Sequence, residues 1–361
     1  MKICFVNTSL TSGGSERVMS IIASRLADIG HETKMLLVRD GLAPQYRYSA
    51  NLQVVQLSYG TNNRIAVLMK RFIKVRRIIR KENPDVVISF MWDVNAFTLL
   101  CSLFLPVRVI VSERADPGSA KTRRLARLIT ERFIYRLADK IVLQTEYVKR
   151  YYPNSIQQKC VVIPNPVNSD LPQPYFGARQ KEIVAAGRMT DQKNFKMLIH
   201  AFNTFYKEHQ DWSLKIYGEG PMQKELKELT CALGVENAVQ FPGFISDLPE
   251  KIREAGIYVN SSNFEGISNV MLEALAMGIP SVCTDCPVGG AALAIDNGKN
   301  GLLVPVGDVD ALASSLNRLV ADSELSRAFN QEAPKVRTRF SLDQICERWL
   351  NLCEGREGNN R

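Results

Sequence analysis

Two carboxylates, Glu265 and Glu273, are set seven residues apart in the stretch Ser261 to Pro280, SSNFEGISNVMLEALAMGIP. Between them a loop turns into a helix. Asn269 is a good N-cap type, an apolar helical run follows, Gly278 suits the position just past the helix end, and Pro280 blocks continuation. A helix N-terminus offers backbone N–H groups and the positive end of a dipole, which suits a phosphate. Glu265 precedes that helix start and Glu273 lies just past its first turn. One acid then faces a group beyond the phosphate while the other faces back along the ligand. The alternative is an ordinary capped helix with solvated acids.

The elements that must position this stretch follow from the rest of the chain. Lys2 to Asn7, KICFVN, reads as a short buried strand. A loop, Thr8 to Ser15, carries Gly13-Gly14, and an amphipathic helix runs from about Glu16 to Gly30. Strand, glycine loop and helix open an α/β nucleotide-binding unit. The loop is neither GxGxxG nor GxxxxGK[ST], which counts against a dinucleotide dehydrogenase and a P-loop ATPase. A plain tight turn is the other reading of the glycine pair. Strand candidates at 32–38, 54–57, 86–90, 107–112 and 140–144 alternate with helical stretches at about 65–82, 93–104 and 121–138. That alternation predicts a doubly wound parallel sheet.

A second alternation begins after Ile163 to Gly177, whose four prolines read as an interdomain linker. Strands are expected at 182–186, 213–217, 239–241, 257–260 and 281–283, and helices near 194–209, 308–321, 323–338 and 341–353. The predicted organisation is an N-terminal domain over 1–165, a linker over 166–180, a C-terminal domain over 181–340, and a last helix and tail over 341–361 crossing back toward the N-terminal domain. Ligands in such sheets sit at the carboxyl ends of the strands.

Composition narrows the class. The chain has 361 residues, 45% of them hydrophobic and 23% charged, which is ordinary for a globular protein of two domains. Of its eight cysteines only Cys283 and Cys286 form a CxxC, and there are only three histidines. A metal cage is not expected, and the cysteines read as reduced thiols. Met1 runs directly into a strand-like segment, without the pattern of a signal peptide. The longest predominantly apolar uncharged run, Val94 to Val107, is 14 residues, short of the ~20 that span a bilayer. A cytoplasmic location is therefore expected.

The net charge of +9 fits an anionic partner: nucleic acid, membrane surface or phosphorylated substrate. Two helical stretches concentrate it. Arg64 to Lys81 carries eight basic residues around Ile65, Leu68, Met69, Phe72, Ile73 and other apolar positions, and Lys121 to Arg136 carries six. A basic amphipathic helix can lie on an anionic membrane, or pack on a core with a solvated charged face. Nucleic acid is disfavoured, because no zinc-finger, RNP or homeodomain signature is present.

Five motifs in order carry a resemblance. Gly13-Gly14 after the first strand, Gly187-Arg188 followed by Lys193, Gly218-Glu219-Gly220-Pro221, Glu265 to Glu273, and Asn300-Gly301-Leu302-Leu303-Val304 together resemble the retaining GT-B glycosyltransferases of the large family that includes bacterial lipopolysaccharide, O-antigen and capsule enzymes. The likeness covers nearly the whole chain. It implies two Rossmann-like domains facing a central cleft. Arg188 and Lys193 would grip a nucleotide diphosphate, the backbone at Ser268, Asn269 and Val270 would hold the distal phosphate, and Gly266 and Ile267 before them would also bind substrate. Glu273 would bond the ribose hydroxyls and Glu265 a hydroxyl of the donor sugar. Gly14, Gly218 and Glu219 would line the donor, and Phe244 lies where such enzymes hold the base. No cofactor or metal is then required. The implied partners are a nucleotide diphosphate sugar, a polyprenyl-diphosphate-linked glycan and the inner membrane face.

One position departs from the pattern. Relatives often carry Glu-His at the end of an N-terminal-domain strand, where this chain has Ser112-Glu113-Arg114. Some relatives in surface-polysaccharide clusters look similar, with Ser-Glu-Arg followed by a polar residue and then Asp-Pro, as in Asp116-Pro117. Arg114 cannot act as a general base at neutral pH. It is left to anchor a phosphate of donor or acceptor, or to form a structural ion pair. Two other functions share the architecture: a nucleotide-sugar epimerase, and a catalytically silent nucleotide-binding partner subunit.

Overall fold

Apolar runs bounded by turn residues become the strands of two all-parallel sheets. They are seen in a computed structural model that describes residues 1–11, 13–40, 46–60, 63–114 and 124–356. Asp116, Pro117, Lys121 and Arg123 lie outside the described residues. The chain divides into two units, Met1–Pro166 with Leu342–Arg361, and Val167–Ser341.

Unit 1 contains β1 (Lys2–Asn7), α1 (Gly14–Asp28), β2 (Glu32–Leu37), β3 (Gln53–Gln56), α2 (Arg64–Glu82), β4 (Val86–Phe90), α3 (Trp92–Ser102), β5 (Arg108–Ser112), α4 (Arg124–Arg132), β6 (Lys140–Leu143), α5 (Asn154–Gln157) and β7 (Cys160–Val162). Its sheet order is β3-β2-β1-β4-β5-β6-β7. Alternate residues of β1 serve opposite faces, as the two-residue period of a strand requires. Ile3 and Phe5 pack with Met19, Ile22 and Leu26 of α1, while Cys4 and Val6 pack with Val75 and Ile79 of α2.

Unit 2 contains β8 (Gln180–Ala186), α6 (Phe195–Tyr206), β9 (Ser213–Tyr217), α7 (Gln223–Ala232), β10 (Val239–Gly243), α8 (Leu248–Ile252), β11 (Ala255–Asn260), α9 (Asn269–Ala276), β12 (Ser281–Thr284), α10 (Gly290–Ala294), β13 (Leu302–Val304), α11 (Val309–Ala321), α12 (Ser323–Glu332) and α13 (Val336–Arg339). Its sheet order is β10-β9-β8-β11-β12-β13. The strand order reverses between β1 and β4 in unit 1 and between β8 and β11 in unit 2. Such switch points open crevices at the carboxyl ends of the strands.

The last helix, α14 (Leu342–Glu354), belongs to unit 1. It is held there by Ile345, Trp349 and Leu352 in the core and by a 2.8 Å bond from Arg25 Nε to Asp343. Trp349 is fully buried and stacks on Phe90 with centroids 5.7 Å apart.

Several boundaries differ from the sequence expectation. Helix α1 starts at Gly14 rather than Glu16, because Gly13 already has the extended backbone of an N-cap. The stretch expected as one helix over 323–338 breaks at Ala333–Lys335, a 3-10 turn that contains Pro334. The basic stretch at 121–138 divides into α4 and a 3-10 turn, Ile134–Leu137. The short strands β7 and β13 escape the pattern because three residues show no period. The proline-rich segment is not a free linker beyond Pro166. Val167 and Leu171 are buried in unit 2, and Arg253 Nε, Arg179 Nη2 and Asn330 Nδ2 donate to the carbonyls of Gln173 and Tyr175 at 2.8–3.1 Å. Those carbonyls face no strand partner, so arginine and asparagine side chains satisfy them.

Trp349→Ala removes the largest fully buried side chain from the unit 1 core. We expect a loss of about 3–5 kcal/mol of stability, read as a lowered urea midpoint in equilibrium unfolding followed by circular dichroism.

Candidate active site

Glycines at the ends of β8, β9 and β10 bring the unit 2 side chains together. Gly187 follows β8 at φ +151°, and a Cβ there would sit 2.6 Å from Lys193 Cε. The missing side chain lets Lys193 cross the strand end. Gly218 follows β9 at φ +112°, and a Cβ there would meet the Gly187 carbonyl at 2.2 Å. Amides of Gly187, Gly218 and Met189 donate to the carbonyls of Tyr217, Gly243 and Glu219 at 2.8–3.0 Å. The loop after β8 is fastened to the loop after β11: Asn263 N donates to Gln192 O at 2.8 Å, Asn263 Nδ2 to Asp191 O at 2.7 Å, and Ser261 Oγ to Lys193 O at 2.8 Å.

This double anchor places the Lys193 ammonium on the Glu265 carboxylate, where it donates a close hydrogen bond. Both side chains are largely shielded from water. The Ser262 hydroxyl lies 3.1 Å from Glu265 Oε2 and 2.8 Å from Asn260 Oδ1. A charge-assisted pair in low dielectric is strong and geometrically fixed. The sequence placed Lys193 and Glu265 in separate roles, and the structure makes them one ion pair. Ser262 and Asn260 were missed, and their signal was only a polar run, Asn260 to Asn263, at the end of a buried strand.

Helix α9 begins two residues beyond Ile267, itself buried. Its N-cap is Ser268, not Asn269: the Ser268 hydroxyl accepts from Met271 N at 3.4 Å, and Asn269 is already helical. Both types are good caps, and the side chain one residue earlier reaches the amide three on. Gly290 fixes the approach to this helix, since a Cβ on it would overlap the Gly266 carbonyl at 1.6 Å. Glu273 lies on the buried face of α9, 3% exposed. Val270 and Asn269 are half-buried, Arg188 and Glu219 are exposed, and Phe244, just past β10, is 60% exposed. Unit 2 therefore gathers Arg188, Lys193, Glu219, Phe244, Glu265, Glu273 and the start of α9 at the carboxyl side of its sheet.

The remaining two predicted residues belong to unit 1. Gly14 is the first residue of α1, and Glu16 folds back to accept from Thr11 N at 2.6 Å and Ser9 Oγ at 2.8 Å. Arg114 follows β5 and is 9% exposed. Its Nη1 donates to Asn165 Oδ1 at 2.7 Å, and its guanidinium carbon lies 4.4 Å from the Phe90 ring centroid. Among the described residues no carboxylate pairs with Arg114, and the described partner of its guanidinium is Asn165. Burial pulls its guanidinium down to about 9. A buried charge costs several kcal/mol, and a cation–π contact returns about 0.5–2 kcal/mol.

Glu113 points elsewhere. Its carboxylate takes a close bond from the Tyr135 hydroxyl, a 3.3 Å bond from Asn95 Nδ2, and a 3.6 Å contact from Arg127 Nη2. Burial raises its carboxyl to about 7 in spite of Arg127 and the Tyr135 bond.

Helix α2 packs on the core by one narrow face and leaves other apolar side chains in the open. Only Val75 and Ile79 are buried. Ile65, Leu68, Met69, Phe72 and Ile73 are exposed, Ile65 by 74%. Several cations reach inward instead: Lys70 Nζ donates to Tyr59 O at 3.0 Å, and Arg76 Nη1 to Cys101 O and Leu103 O at 2.9 and 2.7 Å. Phe104, just beyond α3, is 91% exposed, and Phe133 and Leu137 are exposed after α4. Among the described residues no helix is long and apolar enough to cross a membrane.

Residues 170–336 match the family model described as glycosyl transferases group 1, and residues 12–171 match glycosyltransferase family 4. An uncharacterized glycosyltransferase of Haemophilus influenzae is 25% identical over 96% of this chain and 98% of its own. A Campylobacter jejuni alpha-1,4-N-acetyl-D-galactosaminyltransferase, named for an undecaprenol-diphosphate-linked trisaccharide, is 26% identical over 98% of both chains. Among solved structures, Anabaena HepE with UDP and glucose superposes with a TM-score of 0.84 at 20% identity, over 98% of this chain and 100% of that one. The chain belongs to the GT-B glycosyltransferases, its C-terminal unit being of group 1 and its N-terminal part of family 4.

The Glu113 carboxyl holds its proton to about pH 7 when folded and releases it at its ordinary value of 4.5 when unfolded. Between those values the folded state binds more protons. Acidification from 7 toward 4.5 therefore adds stability through this group, and raising the pH through 7 withdraws it. Glu113→Gln should flatten the stability–pH profile in that window, by ~3 kcal/mol at most. Urea titrations at pH 5 and pH 8 read the difference, and an unchanged slope would contradict the assignment.

Proposed function

We propose that the protein is a retaining transferase that moves a hexose or N-acetylhexosamine from a UDP-linked donor to a lipid-linked glycan during assembly of a bacterial surface polysaccharide. The observation that carries this reading is the Lys193–Glu265 pair beside the start of α9. Breaking the sugar–phosphate bond develops negative charge on the leaving diphosphate. Arg188, Lys193 and the α9 N-terminus are a preorganised counter-field for that charge. Glu265 takes a donor-sugar hydroxyl, Glu273 the ribose, and exposed Phe244 stacks on the base. The acceptor hydroxyl attacks on the face the diphosphate leaves, and a leaving phosphate oxygen takes its proton. No metal is needed in this scheme.

The names of relatives support the substrate classes. Two Campylobacter jejuni relatives are named as transferring N-acetylgalactosamine to undecaprenol-diphosphate acceptors, and an Erwinia amylovora relative as an amylovoran biosynthesis glycosyltransferase. The exposed apolar N-terminal turns of α2, amid lysines and arginines, suit an anionic membrane at the cytoplasmic face. An epimerase would change the sugar of the nucleotide without any acceptor, and a silent subunit would bind UDP without transfer.

Label transfer tests the reaction. Labelled UDP-sugars and GDP-mannose, each with a bacterial lipid-linked glycan extract and EDTA, should give label in the lipid phase from one UDP-sugar. Lys193→Ala and Glu265→Ala should each lower that rate by roughly 10²–10³ while remaining folded. Full activity in both variants would sink the proposed roles. Flotation with anionic liposomes should capture the protein at low salt, and replacing Ile65, Leu68 and Met69 by serine should abolish capture.

A further inference from the structure

The carboxyl edge of the unit 1 sheet holds buried hydrogen-bond donors that, among the described residues, meet no acceptor. They are Arg114 Nε and Nη2, Asn7 Nδ2 and Trp349 Nε1. Each of the three residues is at least nine-tenths buried. Asn7 ends β1, Arg114 follows β5, and Trp349 comes from α14. The Arg114 guanidinium lies 4.4 Å from the ring of Phe90, which ends β4, and 5.7 Å from that of Trp349. These donors therefore collect at the switch point, where β1 and β4 pair and the strand order reverses.

All the orphaned groups are donors, and the central one is a cation. Asn165 Oδ1 occupies only Nη1 of Arg114. What remains is the Nε–Nη2 edge of the guanidinium, a pair of parallel N–H groups matched to two oxygens of one anion. The neighbouring carboxylate, Glu113, is committed to Tyr135, Asn95 and Arg127. A packing role alone would be served better by an apolar side chain of similar size, because an unpaired buried charge is destabilising.

We infer that Arg114, with Asn7 and Trp349, forms an oxyanion subsite of unit 1 that takes a phosphate group. The subsite rests on the glycosyltransferase reading only for the source of that phosphate, which is the diphosphate of the lipid-linked acceptor or that of the nucleotide donor.

Calorimetric titration of the full chain separates the sources. Wild type, Arg114→Met and Trp349→Phe are titrated with UDP, and then with inorganic pyrophosphate in the presence of saturating UDP. Methionine removes the charge and keeps much of the volume, and phenylalanine removes only the indole N–H and part of the ring. With an acceptor source, pyrophosphate binds the UDP-saturated wild type, Arg114→Met weakens it by at least about tenfold, Trp349→Phe weakens it less, and UDP affinity is unchanged. With a donor source, pyrophosphate does not bind over UDP, and Arg114→Met weakens UDP itself by at least about tenfold. Variants that fold as the wild type and bind both ligands within about twofold of it overturn the subsite, and Trp349→Phe keeps the test open if Arg114→Met is poorly folded. Arginine-dependent binding of pyrophosphate to a protein that binds no UDP would leave the subsite standing and sink the donor reading.

Discussion

The unit 2 site depends on one ion pair made across a strand reversal. Lys193 comes from the loop after β8 and Glu265 from the loop after β11, and these strands are hydrogen-bonded neighbours at the switch point. Neither residue is placed by its own helix or strand. Both are placed by glycines that let backbone and side chain approach more closely than any Cβ allows, at Gly187, Gly218 and Gly290. The pair also solves an electrostatic problem in the absence of ligand. A shielded ammonium is costly without a counter-charge, and Glu265 supplies one.

Much of this could be read from the sequence, for identifiable reasons. Buried parallel strands are continuous apolar runs, so KICFVN and VVISF announce themselves as β1 and β4. Glycines at strand ends mark close backbone approach, and Gly187 and Gly218 are legible in the sequence on that ground. The capped helix of α9 was legible to within one residue. The contents of the polar networks were not. Glu113 and Arg114 are adjacent and of opposite charge, which invites a reading as a pair. Successive residues point to opposite sides of an extended chain, so each finds partners from distant elements: Tyr135 and Arg127 for one, Asn165 and Phe90 for the other. No local pattern encodes separations of 51 residues, as between Arg114 and Asn165.

Helix α2 shows the same limit from the other side. Its composition is that of any basic amphipathic helix, and sequence alone leaves open which face meets the protein. The structure turns Lys70 and Arg76 toward backbone carbonyls and leaves Ile65, Leu68 and Met69 in the open. Long cationic side chains reach polar backbone groups at modest cost, whereas five exposed apolar side chains on one helix remain unfavourable in water.

The two units thus treat buried cations in opposite ways. Lys193 is balanced by an internal carboxylate, and the balance is geometric, fixed by two anchored loops. Among the described residues Arg114 has aromatic faces and one amide oxygen, which orient the guanidinium without neutralising it. An oriented but unneutralised fork is already desolvated, so an incoming oxyanion gains the charge–charge term without a second dehydration of the protein side. A lysine at that position would lack the planar edge and would sit as a single point charge over Phe90. Arginine is the side chain that both stacks on the ring and keeps two parallel donors aimed away from it, and that combination explains why a cation rather than a titratable imidazole suits the end of β5.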